Sequence, residues 1–376
     1  MVAQNTCLFN VINSLLCNHK GLPLHHITLF GDNNMPLKQF SVKGFKNFRQ
    51  EIVLENMGDI CVIHGENNIG KSNVLEAMRL FFSLNDWDCQ REFKIDGLEA
   101  LKRLEYLQNN GFKINEMFTF GRHDPIEMSI TLACQKEPEV TLELSLQNDD
   151  DSGLRFNFNL TNSSQNETQN TCLNHFLKKQ FALIGVDRQI NETETETEKE
   201  RCIVPQSLLL QLYDIKDSPE PAIFEKWELF VSTLQKFEDV LGEGEFIAVF
   251  ERQSNRANLM FQPKIKPKRR IPIEILGSGI QQVIALIARL LVSDADFIAI
   301  EEPELNLRYT LQLRLRDILS EIVKSKVGPQ QIFLTSHSPA FEYGEHFYAM
   351  IATDEGPIIE HRPIKQAPFF TKHNLD

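Results

Sequence analysis

Eight consecutive residues constrain this chain more than any others: Gly65, Glu66, Asn67, Asn68, Ile69, Gly70, Lys71 and Ser72. They fit the phosphate-binding pattern G-x-x-x-x-G-K-[ST] without a gap. The apolar run Ile60-Cys-Val-Ile63 precedes them and reads as a short buried strand. After them Val74, Leu75, Met78, Phe81 and Phe82 recur at helical spacing, so Asn73 to Leu84 reads as a helix. Strand, glycine-rich loop and helix form the context that such a loop requires. Its backbone N–H groups can wrap a polyphosphate, and the helix turns its positive end toward that charge. Lys71 is placed to neutralise β- and γ-phosphate charge, and the Ser72 hydroxyl to ligate Mg²⁺. Asn73, opening the helix, joins the nucleotide-binding set.

Composition narrows what surrounds the loop. A length of 376 residues fits one large or two modest domains. Hydrophobic residues at 42% and charged residues at 24% supply an ordinary globular core. Phe (27, against 5 Tyr and 2 Trp) reads as core filling, because no aromatic stripe emerges. A net charge of −13 argues against a protein that coats nucleic acid non-specifically. It leaves room for a local basic patch, and Lys264-Ile-Lys-Pro-Lys-Arg-Arg270 is one. The seven cysteines are odd in number and form no C-x-x-C pair, so neither zinc nor a disulfide framework is indicated. That usage fits a reducing cytosol. No apolar run approaches the ~18 residues of a membrane span, and the N-terminus lacks the basic and apolar regions of a signal peptide. A cytoplasmic protein without membrane contact is expected.

Along the chain, residues 1–34 carry apolar clusters with no clear period, and we expect an appendage or a misplaced start there. Met35 would serve as a start residue, because a clean pattern begins just after it. Leu37, Phe40 and Val42 mark a strand, and Ile52-Val-Leu54 a second. The 126–132, 140–146 and 156–160 stretches alternate apolar and polar residues, as half-buried antiparallel strands do. Phe181–Val186 reads as a buried strand, and the acidic run 191–198 as a solvated loop. Helical spacing over 205–240 is broken by Pro219 and Pro221, and 245–262 suits either helix or strand. Ile280–Leu291 is an apolar helix after a glycine turn. Phe297–Ile300 and Ile332–Leu334 are buried strands flanking an amphipathic helix over Leu305–Val323. Alternating strands and helices imply a parallel sheet. The expected divisions are 1–34, a first lobe at 35–160, a helical and variable insertion at 161–265, and a second lobe at 266–376.

A phosphate loop does not say what the phosphate is for. Glu301 and Glu302 follow the strand Phe297–Ile300, at the edge where parallel sheets bind ligands. One carboxylate there can reach a hard Mg²⁺ ion, and its neighbour can orient a water for in-line attack. The competing interpretation is an acidic helix start, for which Glu-Pro-Glu is well suited. His337 stands just past the next strand, where it can hydrogen-bond a γ-phosphate oxygen or the attacking water. Gly277-Ser278-Gly279 forms a second glycine turn opening a helix, another anion-binding terminus. It makes sense if it serves the nucleotide of another subunit.

In order along the chain stand Phe40-Ser-Val-Lys-Gly-Phe-Lys-Asn-Phe48, Gly65–Ser72, Leu276-Gly-Ser-Gly279, Ile300-Glu-Glu-Pro-Glu304 and Thr335-Ser-His-Ser338. With these motifs the chain resembles the ABC-type ATPases of the SMC/RecF/OLD group, and its Glu-Glu-Pro-Glu resembles the OLD-like members most. The resemblance implies an α/β P-loop NTPase: an ABC-type ATPase head with a mixed sheet, an antiparallel β subdomain and a helical insertion. It implies ATP and Mg²⁺ as cofactors and a homodimer closed around two nucleotides. Lys71 and Ser72 then take phosphate and metal, Glu301 the metal-linked position, Glu302 the catalytic carboxylate and His337 the switch histidine. Gly277, Ser278 and Gly279 match the signature that caps ATP across the dimer, and Gln189 resembles the glutamine-loop position. Gly277 stands where a serine is common, with Ser278 next to it, which leaves open which hydroxyl meets the γ-phosphate. Leu307-Arg308-Tyr309 replaces the usual Leu-His-Pro. No long coiled coil separates the halves and no nuclease domain follows His337, so a separate nuclease or toxin partner is expected. DNA remains a candidate ligand of Lys264–Arg270. A slow, ATP-gated scaffold that presents a partner is the alternative.

Overall fold

The first strand shows how the apolar pattern becomes architecture. In β1 (Leu37–Lys43), Leu37, Phe40 and Val42 are fully buried. A register shift between Leu37 and Gln39 explains why the buried positions are three residues apart rather than two. The computed structural model describes residues 36–85, 107–119, 124–133, 139–149, 153–161, 179–186, 208–253, 256–265, 269–342 and 344–364. Residues 1–34, Arg188 and Gln189, the acidic run 191–198, and 266–268 of the basic patch lie outside these. Two more strands precede the first helix, β2 (Ile52–Leu54) and β3 (Ile60–His64). Then come β4 (Ile126–Leu132), β5 (Val140–Asp149) and β6 (Gly153–Thr161). The three alternating stretches form an antiparallel sheet in the order β2-β1-β4-β5-β6.

The central sheet draws on the whole length of the chain. Its strands run β14-β13-β3-β12-β11-β7, where β7 is Phe181–Ile184, β11 Phe297–Glu301 and β12 Gln331–Ser336. β13 (Phe347–Ile351) and β14 (Ile358–His361) complete it. All neighbours are parallel except β13 and β14. β7 is half-buried at the sheet edge rather than wholly buried as its apolar run suggests, because it has a neighbour on one side only.

Period-two alternation along these strands feeds two separate cores. Cys61, Ile63, Phe297, Ala299 and Phe333 face one side, which holds α1 (Lys71–Asn85) and the antiparallel sheet. Val62, Ile298, Ile300, Ile332 and Leu334 face the other. That second side carries α2 (Leu208–Lys216), α3 (Pro221–Gln235), α4 (Ser278–Val292) and α5 (Tyr309–Lys324). In α4 nine residues between Ile280 and Leu291 are buried, so it is apolar all round because it is enclosed all round. In α5 only Leu315, Ile318, Leu319, Ile322 and Val323 are buried, the single stripe of a surface helix.

Three local readings are decided by the fold. The 245–262 stretch is a hairpin, β8 (Gly244–Glu251) and β9 (Arg256–Pro263), with the short β10 (Ile271–Pro272) beside β9. Pro221 opens α3 at a position where its missing N–H costs nothing. The helix expected from Leu305 begins only at Tyr309, so Glu-Pro-Glu is not a helix start. Residues 302–308 form a tight turn instead, with Glu302 at φ +42° and Asn306 at φ +60°.

The antiparallel sheet is fastened to the central one by a buried glutamine. Gln331 Oε1 accepts from the Leu37 N–H at 2.7 Å, and its Nε2 donates to the carbonyls of Leu37 (3.0 Å) and Gly58 (2.9 Å). Tyr348 adds a bond from its hydroxyl to the Glu55 carbonyl at 2.7 Å.

Candidate functional site: a nucleotide edge on the central sheet

The carboxyl ends of β3, β12 and β11 lie side by side. The register pairs His64 with Ser336, and Thr335 with Glu301. His337 therefore emerges between the phosphate loop and the carboxylates, although in sequence it comes after both. Only the strand order could reveal that placement.

The phosphate loop is held from beneath by the turn after β1. Asn47 Nδ2 donates to the Ile69 carbonyl at 3.0 Å, and Asn73 Nδ2 donates to Asn47 Oδ1 at 2.8 Å. Lys46 pairs with Glu76 on α1. Gly70 sits at φ +114°, which favours glycine, and a Cβ built there would stand 2.7 Å from Asn47 Nδ2 and push that side chain aside. Glu66, Asn67, Asn68 and Ser72 are exposed, while Gly65, Ile69 and Asn73 are half-buried. The cradle opens outward.

Lys71 is buried, and its ammonium donates to the carbonyls of Gly65 (2.8 Å) and Glu66 (2.7 Å). Burial pushes its pKa down, opposed by the charges of Glu302 and Glu304. A cation drawn from water beside two carboxylates is primed for a polyanion, whose oxygens would replace the loop carbonyls.

Glu301 ends β11, and its Oε2 lies near Gly185 just past β7, 3.6 Å from where a Cβ on that glycine would be. Glu302 extends the ladder, donating its N–H to the Thr335 carbonyl at 2.9 Å. A positive φ on a glutamate costs of order 1–3 kcal/mol and turns this carboxylate away from the ordinary strand direction. Its Oε1 lies 3.9 Å from His337 Nδ1. Both glutamates are half-buried, and His337 is exposed.

Sequence reasoning missed four residues here. Glu304, 4% exposed, has its Oε1 bonded by the Ser336 hydroxyl (2.7 Å) and the His337 N–H (2.8 Å). Gln312 on α5 accepts from the Ser338 hydroxyl at 2.6 Å and donates to the Leu307 carbonyl at 2.8 Å. His64 ends β3 with its Nε2 buried and unpartnered, and burial lowers its pKa. Asn47 is the fourth. Glu304 and Asn47 stand inside recognisable motifs; nothing in the sequence marks Gln312.

The glycine turn is elsewhere. Gly277 and Ser278 are exposed at the start of α4, on the sheet face opposite α1. Gly279 packs on the turn after the carboxylates, where a Cβ would lie 3.1 Å from the Asn306 carbonyl oxygen. Gln281 Nε2 braces the turn through the carbonyls of Glu274 (2.8 Å) and Leu276 (2.7 Å). Gln189 lies outside the described residues, so the structure gives it no place.

A family profile described as "AAA domain, putative AbiEii toxin, Type IV TA system" matches residues 60–341. The chain belongs to this AAA-domain family. Among relatives of this AAA-domain protein, a Helicobacter pylori "ATP/GTP phosphatase" is 20% identical over 327 residues, covering 81% of this chain and 86% of that protein. An SMC head bound to the C-terminal winged-helix domain of ScpA is 16% identical with a TM-score of 0.52, covering 86% of this chain and 96% of that one. An SMC head with an extended coiled coil, bound to a ScpA C-terminal domain from Pyrococcus furiosus, is 15% identical with a TM-score of 0.50 (87% and 96% covered). The fold is that of an ABC/SMC-type P-loop ATPase head, and the family is one of nucleotide-binding ATPases.

The residues present fit a nucleotide with a magnesium ion. Among the described residues no group of three or more His, Cys, Asp or Glu gathers as a protein-only metal cage. Ser72, with an exposed hydroxyl, and Glu301 would be the protein's oxygen ligands for the ion. Such a sparse oxygen set suits Mg²⁺, which keeps phosphate and water ligands. Among the described residues no helix is long and apolar enough to cross a membrane.

Proposed function

We propose that this AAA-domain protein is a Mg²⁺-dependent ATPase whose two copies close around two ATP molecules. Each site would join Gly65–Ser72 and Asn73 of one copy to Gly277–Gly279 of the other. One observation carries this reading: α1 and α4 start at glycine turns on opposite faces of one sheet. A copy's exposed Gly277–Ser278 turn thus begins a helix across the sheet from its own phosphate loop, where it would meet a partner's.

Within a site, Lys71 would bind the phosphates, and Ser72 and Glu301 would hold the metal, which supplies charge neutralisation. Glu302, turned by its positive φ, would accept a proton from the attacking water. His337, between loop and carboxylates, would hydrogen-bond that water or the γ-phosphate. Glu302→Gln should then bind ATP, fail to turn it over and persist as a dimer by light scattering. Lys71→Ala should lose binding in a nucleotide titration. Normal hydrolysis by Glu302→Gln would remove that assignment.

Binding and hydrolysis would drive a DNA-linked process, phage defence or repair, through a separate nuclease or toxin. A second reading is a slow scaffold that cages or presents a toxin. The family description, which names a toxin and a toxin–antitoxin system, favours it. Stoichiometry of the complex purified from its host, with and without ATP, separates the two. An SMC head carrying a ScpA winged-helix domain offers a precedent for a head of this fold acting through a bound partner.

A further inference from the structure

We propose that Glu304 is the positioning residue of His337: it latches the loop that carries the histidine and holds the ring proton on Nδ1, leaving Nε2 for the nucleotide. The inference rests on the reading of His337 given above and deepens it.

Glu304 follows the carboxylates by two residues, yet it turns inward where they turn outward. The reason is local. The backbone reverses at Glu302, which donates to Thr335 and accepts at its own carbonyl from Leu305 N–H at 3.1 Å. This turn drives the Glu304 side chain under the end of β12. There it is 4% exposed, against 29% for the Glu302 side chain.

A carboxylate in such a place must be surrounded by donors. Two are fixed: the Ser336 hydroxyl and the His337 backbone N–H both bond Oε1. Ser336 in turn accepts from the Ser338 N–H at 3.0 Å, so one carboxylate organises three consecutive residues. The other oxygen, Oε2, is buried with no partner. The nearest ionisable donor is the His337 ring, whose Nδ1 lies 3.3 Å from Oε1. Glu302 stands near the same nitrogen, at 3.9 Å.

Carboxylates only accept. An imidazole nitrogen facing two of them carries its proton. Glu304, the nearer of the two, thus sets the tautomer, as a carboxylate bonded to the far nitrogen of a metal-ligating histidine does. Nε2 is then the atom presented to water or phosphate. A residue acting only as filler would need no charge here; an uncharged side chain of the same size would close the space without a buried, unpaired oxygen.

The test uses the full chain with Glu304→Gln, which keeps size and can still accept from Ser336 and His337 through its amide oxygen. The amide is neutral, so the negative charge that faces Nδ1 and favours a proton there is removed. Nitrogen NMR of ¹⁵N-histidine-labelled protein, with the His337 signal assigned by its loss in His337→Gln, reads the tautomer without nucleotide. The expected result is an Nδ1-protonated ring in the parent and a shift toward Nε2 protonation in the variant. Turnover should fall about 10–100-fold with nucleotide affinity unchanged. Identical ring signals in the two proteins, or a shifted signal with unchanged turnover, overturns the proposal. If Glu304→Gln does not fold, Glu304→Asp carries the test: its shorter reach should weaken the Nδ1–H signal, and an unperturbed ring there overturns the proposal equally. A His337→Gln protein hydrolysing at the parental rate would remove the role of His337 itself, while the NMR comparison still reports on the latch.

Discussion

At the residue scale, the site depends on side chains placed where their charge or acidity is uncomfortable. Lys71 is a buried ammonium beside two carboxylates, Glu302 carries a strained backbone, and Glu304 is a carboxylate with one unpaired oxygen. Such features persist where function rewards them. Cys61 is the contrasting case. It is fully buried under Tyr348, donates weakly to the Gly58 carbonyl at 3.5 Å, and burial pushes its thiol from 9.0 up to about 12. The folded state therefore needs a neutral thiol, whereas the unfolded chain ionises it above 9.0. Stability associated with Cys61 is complete below that value and is lost as pH rises toward 12, by about 1.4 kcal/mol per unit. Urea unfolding at about pH 8 and about pH 10 should show a loss that shrinks by roughly 1 kcal/mol in Cys61→Ala. Peptide mapping after alkylation at about pH 8 should find Cys61 unmodified in the native protein. From the sequence this cysteine was only one of seven without a pattern; its burial is a consequence of β3 lying in mid-sheet.

At the scale of elements, α5 joins two turns that the sequence presents as unrelated. Gln312 bonds Ser338, beside His337, and also the carbonyl of Leu307. Leu307 and Asn306 pack on Gly279 of the second glycine turn. A displacement at His337 can therefore reach the surface that we assign to the partner copy. Gln312→Leu keeps the bulk but strands the Ser338 hydroxyl and the Leu307 carbonyl, at a cost of about 1–3 kcal/mol. Denaturant unfolding should show that loss, and steady-state ATPase assays should show reduced turnover with nucleotide affinity retained. Unchanged turnover would mean that the two turns act independently. Most strands and helices were legible in the sequence because each buries one face and carries its period, or is enclosed and carries an unbroken apolar run. The 302–308 turn was not, because Glu-Pro-Glu has the chemistry of a helix start. It is overridden here by the ladder bond from Glu302 to Thr335 and by the burial of Glu304.

At the scale of the molecule, one sheet separates the two glycine turns, and each face has its own core. The prediction that belongs here concerns assembly. Ser278 is exposed at the first residue of α4. Ser278→Arg should leave folding and nucleotide binding intact but place bulk and charge at the proposed junction. Light scattering should then find a monomer with ATP, and turnover should collapse. A dimeric, active Ser278→Arg protein would sink the shared-site arrangement. Of the basic stretch 264–270, residues 266–268 lie outside the described residues. Lys264 is within 3.4 Å of Glu243, and Arg270 donates to Gln262 at 3.4 Å.

The sequence by itself determined the phosphate loop, the helix behind it, the carboxylates after β11 and the parallel character of the sheet. These are encoded locally: a glycine pattern, an apolar period, a polar residue at the end of a buried run. Only the tertiary structure decided that His337 lies between loop and carboxylates, that Glu304 turns inward beneath it, and that the helices after the phosphate loop and the second glycine turn pack on opposite faces. Strand order, the direction of a turn and the face on which a helix packs depend on contacts between residues hundreds of positions apart. Gln331 bonding Leu37 across the chain is one such contact, and no local pattern announces it.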